Sequence, residues 1–143
     1  MTGETDLATL LSGLRPRLSE TEFAFGVVPH GAALPPGIEP VGTFSEAEGL
    51  TVIAPAVSFT ETGIEHIAGW ALITLEVHSA LAAVGMIAAI ARALADEGLS
   101  TNVVAAFHHD HIFVPWDQRQ DAMQVLARFA DERVGSGQSP VTP

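Results

Sequence analysis

Hydrophobic residues recur at helical and strand spacing along the chain and predict alternating helices and strands. Four leucines spaced by three or four positions predict a short opening helix: Leu7, Leu10, Leu11 and Leu14. Apolar runs at 22–28 and 50–54, each stopped by a proline, predict two strands. The stretch 30–42 holds three prolines and three glycines and predicts a loop, while 44–49 predicts a turn and 58–66 a weak helical or turn connection.

The second half carries the clearest pattern. From Ala71 to Val77, apolar residues occupy every second position and predict a strand with one apolar face. Ser79 stands where a helix N-cap is expected, and residues 80–97 predict a helix that ends at Gly98. A last helix is predicted over 117–134 and a disordered polar tail over 135–143.

A β-hairpin is predicted between these helices, with its turn at His109 and Asp110. Two cross-strand pairs follow from that turn: Phe107 with Ile112, and Ala105 with Val114. Both faces of the hairpin are apolar, whereas an antiparallel sheet with helices on one side usually has a polar second face. We therefore expect the second face to be covered by the other half of the chain or by another copy of it.

Composition and charge exclude several classes of function. The chain has 143 residues, 48% of them hydrophobic, which suits one compact body. A formal net charge of -11 disfavours binding to nucleic acid or to an anionic membrane surface. Without cysteine there is no thiolate catalysis or disulfide, and no basic, apolar leader opens the chain, so we expect a cytoplasmic protein without a cofactor.

Three segments together resemble the ACT domain family, and more narrowly the stand-alone bacterial tandem-ACT proteins. They are FSEAEGLTVIAP at 44–55, ITLEVHSALAAVG at 73–85 and NVVAAFHHDHIFVP at 102–115. The resemblance implies an α+β fold of two ferredoxin-like βαββαβ halves, with antiparallel sheets and helices on one side. It places a degenerate ACT-like half at 1–68 and a second ACT-like half at 69–134, and it implies assembly into homodimers.

The resemblance also implies where a ligand would bind. Many ACT domains hold an amino acid near the turn from the first strand into the first helix. The matching positions here are His78, Ser79, Ala80 and Leu81, with Asn102 on the neighbouring strand. The helix start at Ser79 would offer free N–H groups to a carboxylate, and Asn102 has both donor and acceptor atoms. The chain departs from the glycine-containing turn that many amino-acid-sensing ACT domains have at this point.

A second cluster lies in the predicted hairpin turn. His108, His109, Asp110 and His111 are residue types that bind zinc and similar ions. The same residues can instead form a hydrogen-bonded turn, with Asp110 holding an adjacent imidazole. Nothing in the chain looks like a nucleophile paired with a base.

Three functions follow from these features. The first is a non-catalytic module that binds an amino-acid-like metabolite or regulates a partner. The second is a metal-dependent enzyme or metal-binding protein that uses residues 108–111. The third is a structural dimerisation unit without a ligand.

Overall fold

The computed structural model describes residues 7–77 and 84–137, which form three α-helices and six β-strands. The elements run in the order α1 (Leu7–Ser12), β1 (Arg15–Val28), β2 (Gly42–Glu46), β3 (Gly49–Pro55), β4 (Glu65–Glu76), α2 (Met86–Asp96), β5 (Asn102–Ala105), β6 (Asp110–Pro115) and α3 (Arg119–Gly137). Short 3₁₀ turns at Ala56–Phe59 and Trp116–Gln118 follow β3 and β6. No described helix is long and apolar enough to cross a membrane.

The chain divides into two compact units that do not follow its linear halves. The small unit is Ser19–Leu72, and the large unit combines Met1–Leu18 with Ile73–Pro143. The long strands β1 and β4 therefore each contribute residues to both units. The strand order is β2-β3-β1-β4 in the small unit and β1-β4-β6-β5 in the large unit. Each unit thus has the strand arrangement of a ferredoxin-like half, and the predicted fold class is confirmed.

The small unit covers its sheet without an α-helix. Its buried cluster contains Ala24 and Val28 of β1 and Val52 and Ala54 of β3. Ile38 from the loop and Phe59 from the 3₁₀ turn pack with them. Phe59, in the 3₁₀ turn after β3, lies so close to Gly26 that a Cβ there would be 2.5 Å from its ring. The predicted loop at 30–42 supplies Ile38 to this core, as a Pro-rich segment can without forming a ladder.

The large unit covers its sheet with helices. α3 contacts α1, α2 and β6, and its inward residues Ala122, Val125 and Leu126 are buried. Three consecutive residues of β6 are buried, as are Ile73–Leu75 of β4, so the central strands of this unit are buried on both faces. The edge strand β5 is mostly exposed.

Several predicted boundaries were wrong. Residues 44–49 are not a simple turn: Phe44 lies in β2, which pairs with β3 around a two-residue turn at Ala47 and Glu48. β1 begins seven residues earlier and β4 six residues earlier than the apolar patterns indicated. The missed part of β1 is mostly polar, so hydrophobic alternation could not reveal it, and the missed part of β4 mixes polar and apolar residues without alternation.

The start of α2 also differs from the prediction. The helix begins at Met86, after Gly85 with a φ of 93°, and has no side-chain cap, so Ser79 is not its N-cap. Val84, which lies inside the helix predicted over 80–97, precedes the observed helix and is 85% exposed. A glycine, Gly85, therefore stands directly before this helix. The predicted end is confirmed, because Gly98 and Leu99 donate to the carbonyls of Ala95 and Leu94.

The hairpin register was wrong by four residues. Ala105 pairs with Asp110 and Val103 with Ile112, while Ala106 N–H donates to His109 carbonyl and closes a turn at 106–109. Because the slip is an even number, each residue keeps the face that was predicted for it. Phe107 leaves the ladder altogether and is 85% exposed at the turn.

Candidate functional site

A cleft of about 440 Å³ opens on the large unit, where several chain segments meet. Its lining comes from the residues just before and at the start of β1, the end of β4 and the β5–β6 turn: Gly13, Arg15, Glu76, Val77, Phe107, His108 and His109. Phe107 contributes an apolar ring, and the other side chains with polar atoms carry charge or an imidazole. A concave site with a few convergent polar groups is the usual form of a small-molecule site.

Arg15 distinguishes this cleft from the rest of the surface. The chain has six arginines and no lysine, and four of those with described side chains are engaged within the protein. Their contacts are Arg17 with Glu76 at 2.5 Å, Arg92 with Asp96 at 3.1 Å, Arg128 with Glu97 at 2.8 Å, and Arg119 over the Trp116 ring at 3.8 Å. The side chain of Arg15 has no ion pair or hydrogen bond within the described part of the chain. Among the arginines with described side chains, it is the guanidinium that is free to bind a ligand.

Glu76 lines the same cleft as Arg15. Its Oε1 accepts the hydrogen bond from Arg17 Nε, and both side chains remain partly exposed. A carboxylate has more acceptor positions than one guanidinium N–H fills, so Glu76 can still accept from a ligand ammonium group. The cleft lining therefore holds one cationic side chain without a described partner and one carboxylate that can still accept a hydrogen bond.

The histidines of the β5–β6 turn line the same cleft. His108 packs edge-on against Phe107 with ring centroids 4.9 Å apart, and its ring centroid lies 6.4 Å from that of His109. The Nδ1 atom of His109 is buried without a hydrogen-bond partner. Since an unpaired buried N–H costs more than an unpaired lone pair, this favours the tautomer that carries its proton on Nε2.

His111 lies apart from the cleft, on β6. A hydrogen bond of 3.0 Å joins its Nδ1 to Oγ1 of Thr74, a buried residue on β4. Burial lowers the pKa of His111, and the nearby His109 and Arg17 lower it further, while the carboxylate of Asp110 opposes them. Burial therefore favours the neutral form of His111, whose ring pairs with Thr74.

The structure brings together only part of what the sequence singled out. His78, Ser79, Ala80 and Leu81 lie outside the described residues, although Val77, which lines the cleft, directly precedes them. Asn102 is the first residue of β5, pairs with Phe113, and is exposed. Within residues 7–77 and 84–130, no three His, Asp or Glu side chains converge as metal ligands would, the 108–111 run included.

Sequence reasoning missed Arg15. The arginine follows the opening helix and precedes Pro16, a place where a turn and a solvated charge were the simplest interpretation. A useful signal was available in the composition: a chain this acidic has few cations, so each one without a nearby carboxylate is a candidate anion contact. Gly13 and Val77 have no functional group that could have marked them as site residues, and only the fold places them in the cleft lining.

Solved structures with similar folds define the class of protein. A Vibrio cholerae protein of unknown function, described as a possible transport protein, is 42% identical, with a TM-score of 0.77 over 87% of this chain and 95% of its own. The regulatory subunit of aspartate kinase from Thermus thermophilus, in a ligand-free form, is 12% identical, with a TM-score of 0.57 over 79% of this chain and 94% of that one. Aspartate kinase from Clostridium acetobutylicum is 11% identical, with a TM-score of 0.63 over 84% of this chain and 34% of the kinase. The chain thus shares its fold with the regulatory subunit of that aspartate kinase and with the matched part of the Clostridium kinase.

Family models identify the chain more closely. Two ACT domain models match it, one at residues 2–68 and the other at 65–128. The chain belongs to the ACT domain family and carries two such domains in tandem, as the sequence resemblance indicated. A comparison with curated proteins finds no match.

Proposed function

We propose that this protein is a non-catalytic ACT module that binds a small amino-acid-like metabolite and regulates a partner in response. The cleft of the large unit forms part of the binding site in this proposal. His78, Ser79, Ala80, Leu81 and Asn102 stay our prediction for further ligand contacts. Homodimer formation and a cytoplasmic location belong to the same proposal.

One observation carries the proposal: the unpaired Arg15 guanidinium lies in the same cleft as the Glu76 carboxylate. An amino acid is a zwitterion and needs one cationic and one anionic partner at close range. Guanidinium groups bind carboxylates through two parallel N–H donors, and a carboxylate accepts readily from an ammonium group. The absence of a nucleophile–base pair from the cleft lining favours binding over catalysis.

A thermal-shift screen of the twenty amino acids at millimolar concentration tests this function. A ligand that binds only the folded protein stabilises it by about 2.7 kcal/mol at one hundred times its Kd, so we expect a raised Tm with at least one amino acid. Arg15→Gln removes a charge-assisted contact of about 1.5–3 kcal/mol and should abolish the shift. Arg128→Gln is the matched control, because it removes an arginine that pairs with Glu97 outside the cleft.

Two results would contradict the proposal. No amino acid raising the Tm would remove the function itself. A shift that survives Arg15→Gln but disappears in Asn102→Ala would move the site away from the cleft. If Asn102→Ala leaves the shift unchanged, Asn102 is not part of the site.

A further inference from the structure

The polar groups of the cleft are more numerous than an amino acid backbone needs. The α-carboxylate and α-ammonium groups of a ligand require one partner each, which Arg15 and Glu76 provide under the proposed function. His108 and His109 remain, and both line the cleft. An apolar ligand side chain would leave these imidazoles without hydrogen-bond partners, which a buried contact does not tolerate cheaply.

The two imidazoles favour an acceptor with two oxygens. A neutral imidazole has one N–H donor, and a protonated one has two. His109 Nδ1 is buried without a partner, which favours the tautomer with its N–H on Nε2, the opposite side of the ring. A ligand carboxylate can accept a hydrogen bond from each of the two rings. A side-chain amide has only one oxygen, and its NH₂ group would face the N–H of the second ring, so that two donors would meet.

The charges around the cleft agree with an anionic group at this end. Arg15 has no counterion among the described residues, and Arg17 already neutralises Glu76. Asp110, the other carboxylate near the turn, follows His109 in the chain, interacts with His111 and is not part of the cleft lining. Although the chain has a net charge of -11, this cleft therefore suits a ligand that carries a second carboxylate besides its α-carboxylate.

We infer that the ligand is an acidic amino acid, an α-amino dicarboxylate whose side-chain carboxylate is bound by His108 and His109. This inference rests on the proposed function and specifies the ligand class of the same cleft. Phe107, edge-on to His108, would pack against the short methylene stem of such a ligand.

Isothermal titration calorimetry with matched pairs of ligands tests the inference. Aspartate is compared with asparagine, glutamate with glutamine, and leucine serves as an apolar reference. We expect one acid of these pairs to bind on the order of tenfold more tightly than its amide, because the amide loses one charge-assisted hydrogen bond. His109→Phe keeps a ring but removes the donor, and it should bring the acid-to-amide ratio close to one.

The same change at a distant histidine is the matched control. His30→Phe alters an exposed histidine of the small unit and should leave the acid-to-amide ratio unchanged. If His109→Phe does not fold, His108→Gln replaces it, with the same expected direction. Circular dichroism of each variant establishes which one is used.

The outcomes separate this inference from the proposed function. Binding of a neutral amino acid as tightly as the acids, or an acid-to-amide ratio unaffected by both histidine variants, would overturn the acidic ligand while amino acid binding stood. Absence of binding by any amino acid would overturn both. Acid-selective binding that depends on His108 or His109 is the result expected.

Discussion

The two units arrange their strands alike but cover them differently. In each unit a two-stranded hairpin lies beside the long strands β1 and β4. The large unit packs α2 and α3 around its core, while the small unit has a loop and a 3₁₀ turn in their place. The comparison teaches that a ferredoxin-like strand arrangement needs a layer of apolar side chains over the sheet and does not need that layer to be helical.

The small unit depends on one aromatic ring for much of this layer. Phe59 is 1% exposed, lies over Gly26, and stacks on His66 with ring centroids 4.9 Å apart. Glycine is needed at position 26 because any side chain would enter the space of that ring. In the large unit the same role is spread over several helical residues, so no single side chain carries it.

The largest predicted effect follows from this difference. Phe59→Ala should lower the free energy of unfolding by about 3–5 kcal/mol, since it leaves a cavity that no helix can move to fill. Phe44→Ala removes the same ring from a position that is 72% exposed and should change stability by at most about 0.5 kcal/mol. Urea denaturation of both variants provides the measurement. A loss below about 1 kcal/mol for Phe59→Ala would show that the loop repacks and that the small unit does not depend on this ring.

The sequence predicted the part of the fold that rests on apolar periodicity. The alternation in β4 and the leucines of α1 are confirmed, with Ile73, Leu75 and Leu10 almost fully buried. The prolines between residues 30 and 42 correctly indicated the loop of the small unit. The polar beginning of β1 at Arg15 could not be predicted, because only its pairing with β4 in the large unit makes it a strand.

The candidate site was less predictable than the fold for the same reason. His108 and His109 were singled out from their residue type, but their neighbours Arg15 and Glu76 come from segments that are distant in sequence. The predicted register of the β5–β6 hairpin was wrong by four residues, because both strands are apolar on both faces and the hydrophobic pattern alone does not fix the register there. Residue chemistry could be predicted locally, whereas the cleft is a product of topology.

A smaller effect on the free energy of unfolding is expected at the C-terminal end of α2, in the large unit. Gly98 has a φ of 75° and nothing within 4 Å of the position of an added Cβ, so Gly98→Ala isolates the cost of the left-handed backbone. We expect a loss of about 1–2 kcal/mol in the free energy of unfolding. Gly37→Ala is the control, because it also meets no neighbour and its φ is not in the positive range. Equal effects of the two substitutions would mean that the helix end in the large unit is not held by this glycine.

The smallest expected effect is on the pH dependence of folding stability. It comes from the hydrogen-bonded pair of Thr74 and His111 in the large unit. Burial, then His109, lowers the pKa of His111 below its usual value of 6.5. The unfolded chain therefore binds this proton more readily than the folded one, so the contribution of His111 to stability improves as pH rises and is complete above the unfolded pKa. The loss of stability that His111 causes begins as pH falls below 6.5, and it is complete below the pKa of His111 in the folded protein.

His111→Gln tests this pH dependence and retains a hydrogen-bonding group opposite Thr74. The rise in Tm between about pH 5 and pH 7.5 should be smaller in this variant than in the unmodified protein, because one protonation that opposes folding is removed. Titrations of carboxylates that do not interact with His111 contribute equally to both proteins and cancel in the difference, whereas Asp110 acts on His111 directly. A steeper rise in His111→Gln would mean that the folded protein prefers the charged imidazole, which the burial of Thr74 and the position of Arg17 argue against.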